Sequence, residues 1–217
     1  MSNITDIIIR VFSGAGASSI IFFSTIIFSM PLGLLITFAR MSNVKVISGF
    51  AGFLISILRG TPLMLQLFMW YYGPFYLFRL SLGLAWRLPA IIIGFSINYA
   101  AYFAEIYRGG IQSIPVGQYE AAKVLGFTKL QTFLRIIMPQ VVKRILPAMG
   151  NEVITLVKDT ALVQVLGVAE LFHVAQTQSG RLVSVTPLFL AGLFYFIMNW
   201  GVSKFFDVAE KKLDYYK

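Results

Sequence analysis

The sequence predicts an all-α integral membrane protein with five transmembrane helices, and three observations carry that expectation. Of its 217 residues, 58% are hydrophobic and only 12% charged, against roughly 45–50% apolar and about 25% charged in a soluble domain. Two blocks, 18–39 and 182–203, are each 22 uncharged positions long, enough at about 1.5 Å per residue to cross a hydrocarbon core roughly 30 Å thick. Between the apolar blocks lies one polar, helix-compatible island, whose loop is placed at 108–141. Residues 1–217 are therefore expected to form a single transmembrane domain with spans at 18–39, 51–72, 88–107, 142–164 and 182–203.

Ahead of the first span, Asp6 and Arg10 are followed by Gly14-Ala15-Gly16-Ala17. That is the reverse of the basic, apolar, small order of a signal peptide, so no cleavage is expected. Span one contains Pro31 and Gly33 and is closed by Arg40 and Lys45; an internal proline is tolerated where neighbouring helices re-satisfy the backbone.

From Val46 to Phe78 the only charge is Arg59. A straight helix of that length, on the order of 50 Å, would overshoot the bilayer, so the block must bend or break. The breakers available near its middle are Gly60 and Pro62, which places a distortion of span two at Gly60-Thr61-Pro62. Arg59 then lies inside the membrane, either lining a polar path or snorkelling to the interface.

Residues 75–87, with Arg79, Trp86 and Arg87 among aromatics, are expected at the interface between spans two and three. Span three carries Asn98-Tyr99 near its middle and is closed by Glu105 and Arg108. Two roles are open to Asn98 there, a hydrogen bond to a neighbouring helix or a contact to a bound molecule. Span four holds Glu152, Lys158 and Asp159; residues 165–181 are expected to form an external connection with a short helix, and 207–217 a polar tail.

Within the island, Gln118 to Leu125 is rich in helix formers, Gly126 can stop that helix and Thr128 can cap the next. Ala121, Ala122 and Gly126 have almost no side chain, so another protein could approach the backbone closely, while Glu120 and Lys123 are free for polar contacts. Two short helices around a glycine elbow suit a docking knob.

The spacing Glu120-Ala121-Ala122, three residues, Gly126, nine residues, Ile136-x-Met138-Pro139 resembles the EAA signature of the membrane-spanning permease subunits of ABC importers. Leu is commoner where Met138 stands. Arg59-Gly60-Thr61-Pro62, Ile114-Pro115, and Asn151-Glu152 followed by Lys158-Asp159-Thr160 sharpen the resemblance towards the polar amino-acid uptake branch. The resemblance implies a type I importer-like fold with a cytoplasmic coupling helix at the island. It also implies two ABC ATPase subunits, a second permease copy or homologue, and an external amino-acid-binding protein as partners. ATP and magnesium would be bound by the ATPases and not by this chain.

The charges are consistent with that arrangement. Putting the island inside leaves twelve of the eighteen Lys and Arg residues, from Arg40 and Lys45 to Lys217, at or beyond cytoplasmic ends. Five spans then put the N-terminus outside and the C-terminus inside a bacterial plasma membrane.

Glu152 and Asp159 are seven residues apart, close to two helical turns, so they share one face about 10 Å apart along the axis. Carboxylates at membrane depth need counter-charges and usually mark a substrate or ion path. The candidate substrate-binding residues are Glu152, Asp159, Asn98, Tyr99 and Arg59; a structural ion pair of Asp159 with Lys158 of the same or a partner chain is the competing reading. In related basic amino-acid permeases this region contributes to a central cavity, which points to arginine, histidine or lysine, with glutamine as the main competitor.

Other classes fall away on composition. With no Cys and one His, His173, thiolate and histidine-cluster metal sites are excluded. The net charge of +9 is spread between apolar blocks and not massed on a face for nucleic acid. No Gly-x-x-x-x-Gly-Lys-Ser/Thr loop is present, so the energy source must be another polypeptide, and no catalytic pair suggests an enzyme. A secondary amino-acid transporter is the alternative class, but it would usually show inverted repeats and more spans.

Overall fold

The computed structural model describes residues 4–213, and within them every regular element is helical. A short helix α1 (Ile4–Ser13) leads into α2 (Ala15–Arg40), followed by α3 (Lys45–Gly60), α4 (Leu63–Phe78) and the long α5 (Arg87–Gln112). The island supplies α6 (Val116–Val124) and the turn α7 (Lys129–Gln131), which passes through a π-helical stretch, Thr132–Ile137, into α8 (Met138–Asp159). A 3-10 segment, Thr160–Leu166, then α9 (Leu171–Leu182) and α10 (Thr186–Leu213) complete the chain.

The centre of the molecule is α5, which touches α2, α3, α4 and α8. It buries one wall of aromatics, Phe95, Tyr99 and Phe103, and another of alanines, Ala100, Ala101 and Ala104. The buried residues of α2 include the small or hydroxylic Thr25, Ser29, Gly33 and Thr37, and Gly33 and Thr37 meet α5 directly. A Cβ at Gly33 would lie 2.9 Å from Phe103 Cβ and 3.0 Å from the Ala100 carbonyl oxygen. Thr37 donates to the Ala104 carbonyl at 3.1 Å. Close backbone approach and interhelical hydrogen bonds are how helices associate where lipid removes the hydrophobic drive. The helix α2 continues through Pro31.

The break in the second apolar block falls at the expected residues, but its size was not legible. The arms α3 and α4 diverge by 107° at Thr61-Pro62, so the stretch expected as span two, 51–72, falls on two arms of 16 residues each. Among the described residues, three helical stretches, Thr5–Arg40, Leu84–Gln112 and Thr186–Leu213, are long and apolar enough to cross a membrane, or four if the bent pair is one span. The fourth expected span, 142–164, is represented by α8, which begins at Met138 and becomes 3-10 after Asp159. Lys143, Arg144, Glu152, Lys158 and Asp159 keep it outside that set, although its 22 residues reach roughly 33 Å.

The segment 165–181 contains the expected short helix, α9, and it is packed: Glu170, Leu171 and Ala175 are fully buried, and α9 lies on α1, α2 and α10. The reason is α1, whose Ile7 and Val11 form a small core with Leu171, Ala175 and Ala191. The polar tail expected over 207–217 is helical as far as Leu213, as the end of α10; 214–217 lie outside the described residues. Along α10 only Pro187 and Ala191 are buried, while Phe189, Leu193, Phe196, Ile197, Trp200 and Phe205 are exposed. An apolar face of that extent is unfavourable in water and natural in lipid.

Candidate functional site

The polar constellation of the chain lies where α5 passes between the α3/α4 break and α8. At the break the end of α3 loses its helical continuation, because Pro62 has no N–H to donate. Side chains supply the missing donors. Gln66 Nε2 donates to the Leu58 carbonyl at 2.8 Å and to Thr61 Oγ1 at 2.9 Å. Asn98 Nδ2 donates to the same Leu58 carbonyl at 3.0 Å and to Gln66 Oε1 at 3.1 Å. Both residues are buried. Asn98 therefore takes the helix-bonding role of the two open to it, and its geometry gives no support to the role of a substrate contact.

The neighbouring residue faces the other way. Tyr99, buried and stacked on Phe95, donates its hydroxyl to Asp159 Oδ2 at 2.7 Å. Asp159 and Glu152 are both half-buried on α8. The ion pairs given by the described residues, Glu105 with Arg108 and Lys204 with Asp207, involve neither carboxylate. Lys158 is exposed and forms no salt bridge with Asp159 within the chain, although it lies within Coulombic range of that carboxylate.

Arg59 is exposed at the C-terminal end of α3, with its guanidinium carbon 5.2 Å from the centroid of the Tyr102 ring. It lies within Coulombic range of Glu152. Tyr102 in turn adjoins Tyr99, their centroids 6.2 Å apart. Arg59, Tyr102, Tyr99 and Asp159 thus form a continuous polar and aromatic edge beside Glu152. Tyr102 and Gln66 were missed in the sequence; Tyr102 had a signal, since it stands three residues from Tyr99 on the same helix face.

The second region is the island. Its first helix ends in a Schellman motif: Gly126 has φ +78°, its N–H donates to the Lys123 carbonyl at 3.1 Å, and the Phe127 N–H to the Ala122 carbonyl at 3.0 Å. Thr128 and Gln131 then form a capping box, with the Thr128 N–H donating to Gln131 Oε1 at 2.9 Å and the Gln131 N–H to Thr128 Oγ1 at 3.3 Å. Arg144 of α8 donates to the Ser113 carbonyl and to Ser113 Oγ, tying the island's entry to α8.

Glu120, Ala121, Lys123 and Gly126 are exposed, as a docking knob requires. Ala122 is not: it is 1% exposed and turned into the chain, where α6 packs on the π-helical stretch. Its small side chain serves this internal packing. The apolar residues Val116, Val124, Leu125 and Leu130 are instead the exposed ones, giving the knob an apolar surface that the sequence reading did not single out.

A third polar node lies outside the constellation. Glu170, at the N-cap of α9, accepts from the Phe172 N–H at 2.8 Å, the His173 N–H at 2.6 Å, the Tyr195 hydroxyl at 3.1 Å and Ser18 Oγ at 3.4 Å. Burial pushes its carboxyl above the ordinary carboxylate range against those donors, which pull it down. A Cβ at Gly14 would lie 2.6 Å from the Glu170 carbonyl carbon, so this junction also needs a glycine at the N-cap of α2.

Comparison with known proteins places these two regions in context. Residues 29–215 match the family model of the binding-protein-dependent transport system inner membrane component. The L-cystine transport system permease protein TcyB of Bacillus subtilis is 38% identical over 192 residues, covering 88% of this chain and 80% of that protein. The putative glutamine transport system permease protein GlnP of Rickettsia felis is 34% identical over 189 residues, covering 87% and 85%. Among solved structures, a crystal structure of an amino acid ABC transporter with histidines superposes with a TM-score of 0.84 at 34% identity, covering 94% of each chain. This chain belongs to the family of binding-protein-dependent transport system inner membrane components, as an amino-acid ABC transporter permease, a transport component and not an enzyme.

Proposed function

We propose that residues 1–217 form one permease domain of five spans that imports a basic amino acid, with the α5/α8 polar constellation as the substrate path and α6 as the coupling helix. The observation that carries this reading is the pair Glu152 and Asp159. They share a face of α8, and only Asp159 has an internal hydrogen bond, from Tyr99. A carboxylate at membrane depth without a salt-bridge partner is costly. An ammonium or guanidinium group entering the path supplies the missing counter-charge. Arginine, histidine and lysine carry such a group in addition to the α-amino group.

In this reading two α8 faces, one from each of two permease copies or homologues, meet in the assembled importer. Two ATPase subunits bind ATP and magnesium and press on the exposed face of α6, while an external binding protein delivers the amino acid. The tie from Ser113 to Arg144 supports transmission, because movement of the island must shift α8 as well. ATP binding then biases the chain between two packings by binding one of them more tightly. The N-terminus lies outside and the C-terminus in the cytoplasm.

The named relatives favour a second reading, in which the cargo is a neutral polar amino acid such as glutamine. Uptake by the importer reconstituted in liposomes with its ATPase and binding protein separates the two. Glu152→Gln and Asp159→Asn are expected to lower arginine uptake by on the order of tenfold, the effect of one lost charge-assisted contact, while assembly and ATP hydrolysis persist. Unchanged arginine uptake, or glutamine as the preferred cargo, would support the second reading.

A further inference from the structure

Arg59 is the one cation that the α3/α4 break delivers to the carboxylate face, and its surroundings are unlike those of a structural arginine. Among the described residues its guanidinium has a ring contact with Tyr102 and neither a hydrogen bond nor a salt bridge. The Leu58 carbonyl, which a C-terminal cation could have served, already accepts from Gln66 and Asn98. Those two side chains satisfy the end of α3, and Arg59 is exposed. The guanidinium thus has its fork of donors free, lies beside an aromatic ring and stands in Coulombic range of Glu152 and of Glu105, the latter already paired with Arg108.

An α-amino acid brings a carboxylate as well as a cation, and a guanidinium is the side chain that binds a carboxylate bidentately. We propose that Arg59 reads the α-carboxylate of the substrate, so that the path selects amino acids over amines and guanidines of the same size and charge. This rests on the reading that Glu152 and Asp159 face the substrate's cationic groups. The substrate is then held between opposite charges, with its carboxylate towards the broken helix and its cationic end along α8. The Tyr102 ring fixes the plane of the guanidinium while leaving the fork edge open. Either charge sign alone leaves one end of the zwitterion unmatched.

The test is calorimetric titration of the purified importer complex, without binding protein, with arginine and with agmatine, which is arginine lacking its carboxylate. The wild type is expected to bind arginine at least about tenfold more tightly than agmatine, the scale of one lost charge-assisted pair. Arg59→Gln is expected to bring the two affinities together by weakening arginine, and Arg59→Lys to restore part of the difference. Equal affinities in the wild type would overturn the role of Arg59 while leaving the carboxylate face standing. Tighter arginine binding by Arg59→Gln would make Arg59 an internal counter-ion of Glu152 and also overturn it. Absence of binding by either ligand would overturn the carboxylate face and this inference together.

Discussion

The Tyr99 hydroxyl donates to Asp159 Oδ2 at 2.7 Å across the contact between α5 and α8. It joins the most buried helix of the molecule to the helix that carries both half-buried carboxylates, so the orientation of Asp159 depends on a residue sixty positions away. Tyr99→Phe keeps the ring and removes the donor. It is expected to lower stability by about 1.5–3 kcal/mol, the range for a hydrogen bond to a charged acceptor. Thermal unfolding of the purified complex measures this, and an unchanged midpoint would show that the hydroxyl does not hold Asp159.

The exposure of Ala121 beside the burial of Ala122 makes adjacent alanines separable. Ala121→Leu or Glu120→Arg should leave the permease stable in the membrane yet reduce coupled ATP hydrolysis on the order of tenfold, because bulk is added to a close interface. Ala122→Leu should instead destabilise the permease itself by about 1–3 kcal/mol through overpacking. Co-purification of the ATPase together with the permease's own melting curve distinguishes them; identical behaviour of the two alanine variants would contradict the placement of α6.

Glu170 predicts a pH dependence of stability. Its folded-state pKa is raised by burial, above the unfolded value of about 4.3. Its contribution is therefore fully present below the unfolded value and is lost as pH rises through the folded one. Compared with Glu170→Gln, the wild type should lose stability as pH is raised above the unfolded value of about 4.3. Parallel pH profiles of the two proteins would show that Glu170 does not titrate in this range.

The proposed topology is open to labelling, since the chain has no native cysteine. A cysteine at Lys129, on the exposed island, should react only from the cytoplasmic side, and one at Arg79, beyond α4, only from outside. Both positions are exposed. Labelling of both from one side would overturn the five-span order.

What could be read from sequence was what local chemistry decides. The uncharged blocks marked α2 and α10, Thr61-Pro62 located the break, and Gly126 with Thr128 placed the turn of the island, since proline, glycine and a capping hydroxyl act on their own neighbours. The 107° divergence of α3 and α4 depends on what Gln66 and Asn98 bond to, which no local pattern reveals. The inward face of Ala122 depends on α6 packing against a distant segment. Glu170 looked like a loop residue because its partners, Ser18 and Tyr195, are 152 and 25 residues away. The residue types of the candidate site were visible, but separating Asn98, which serves the backbone, from Tyr99, which serves Asp159, needed the fold.

The central claim is that Glu152 and Asp159 form a face that binds a cation, and the most direct measurement is ligand-induced stabilisation of the purified complex in the absence of the external binding protein. A ligand present at about 100 times its Kd adds about 2.7 kcal/mol to the folded state. Arginine should raise the melting midpoint of the wild type and do so far less in Glu152→Gln and Asp159→Asn, whose side chains keep the shape and lose the charge. Equal stabilisation by arginine in all three proteins would contradict a carboxylate site.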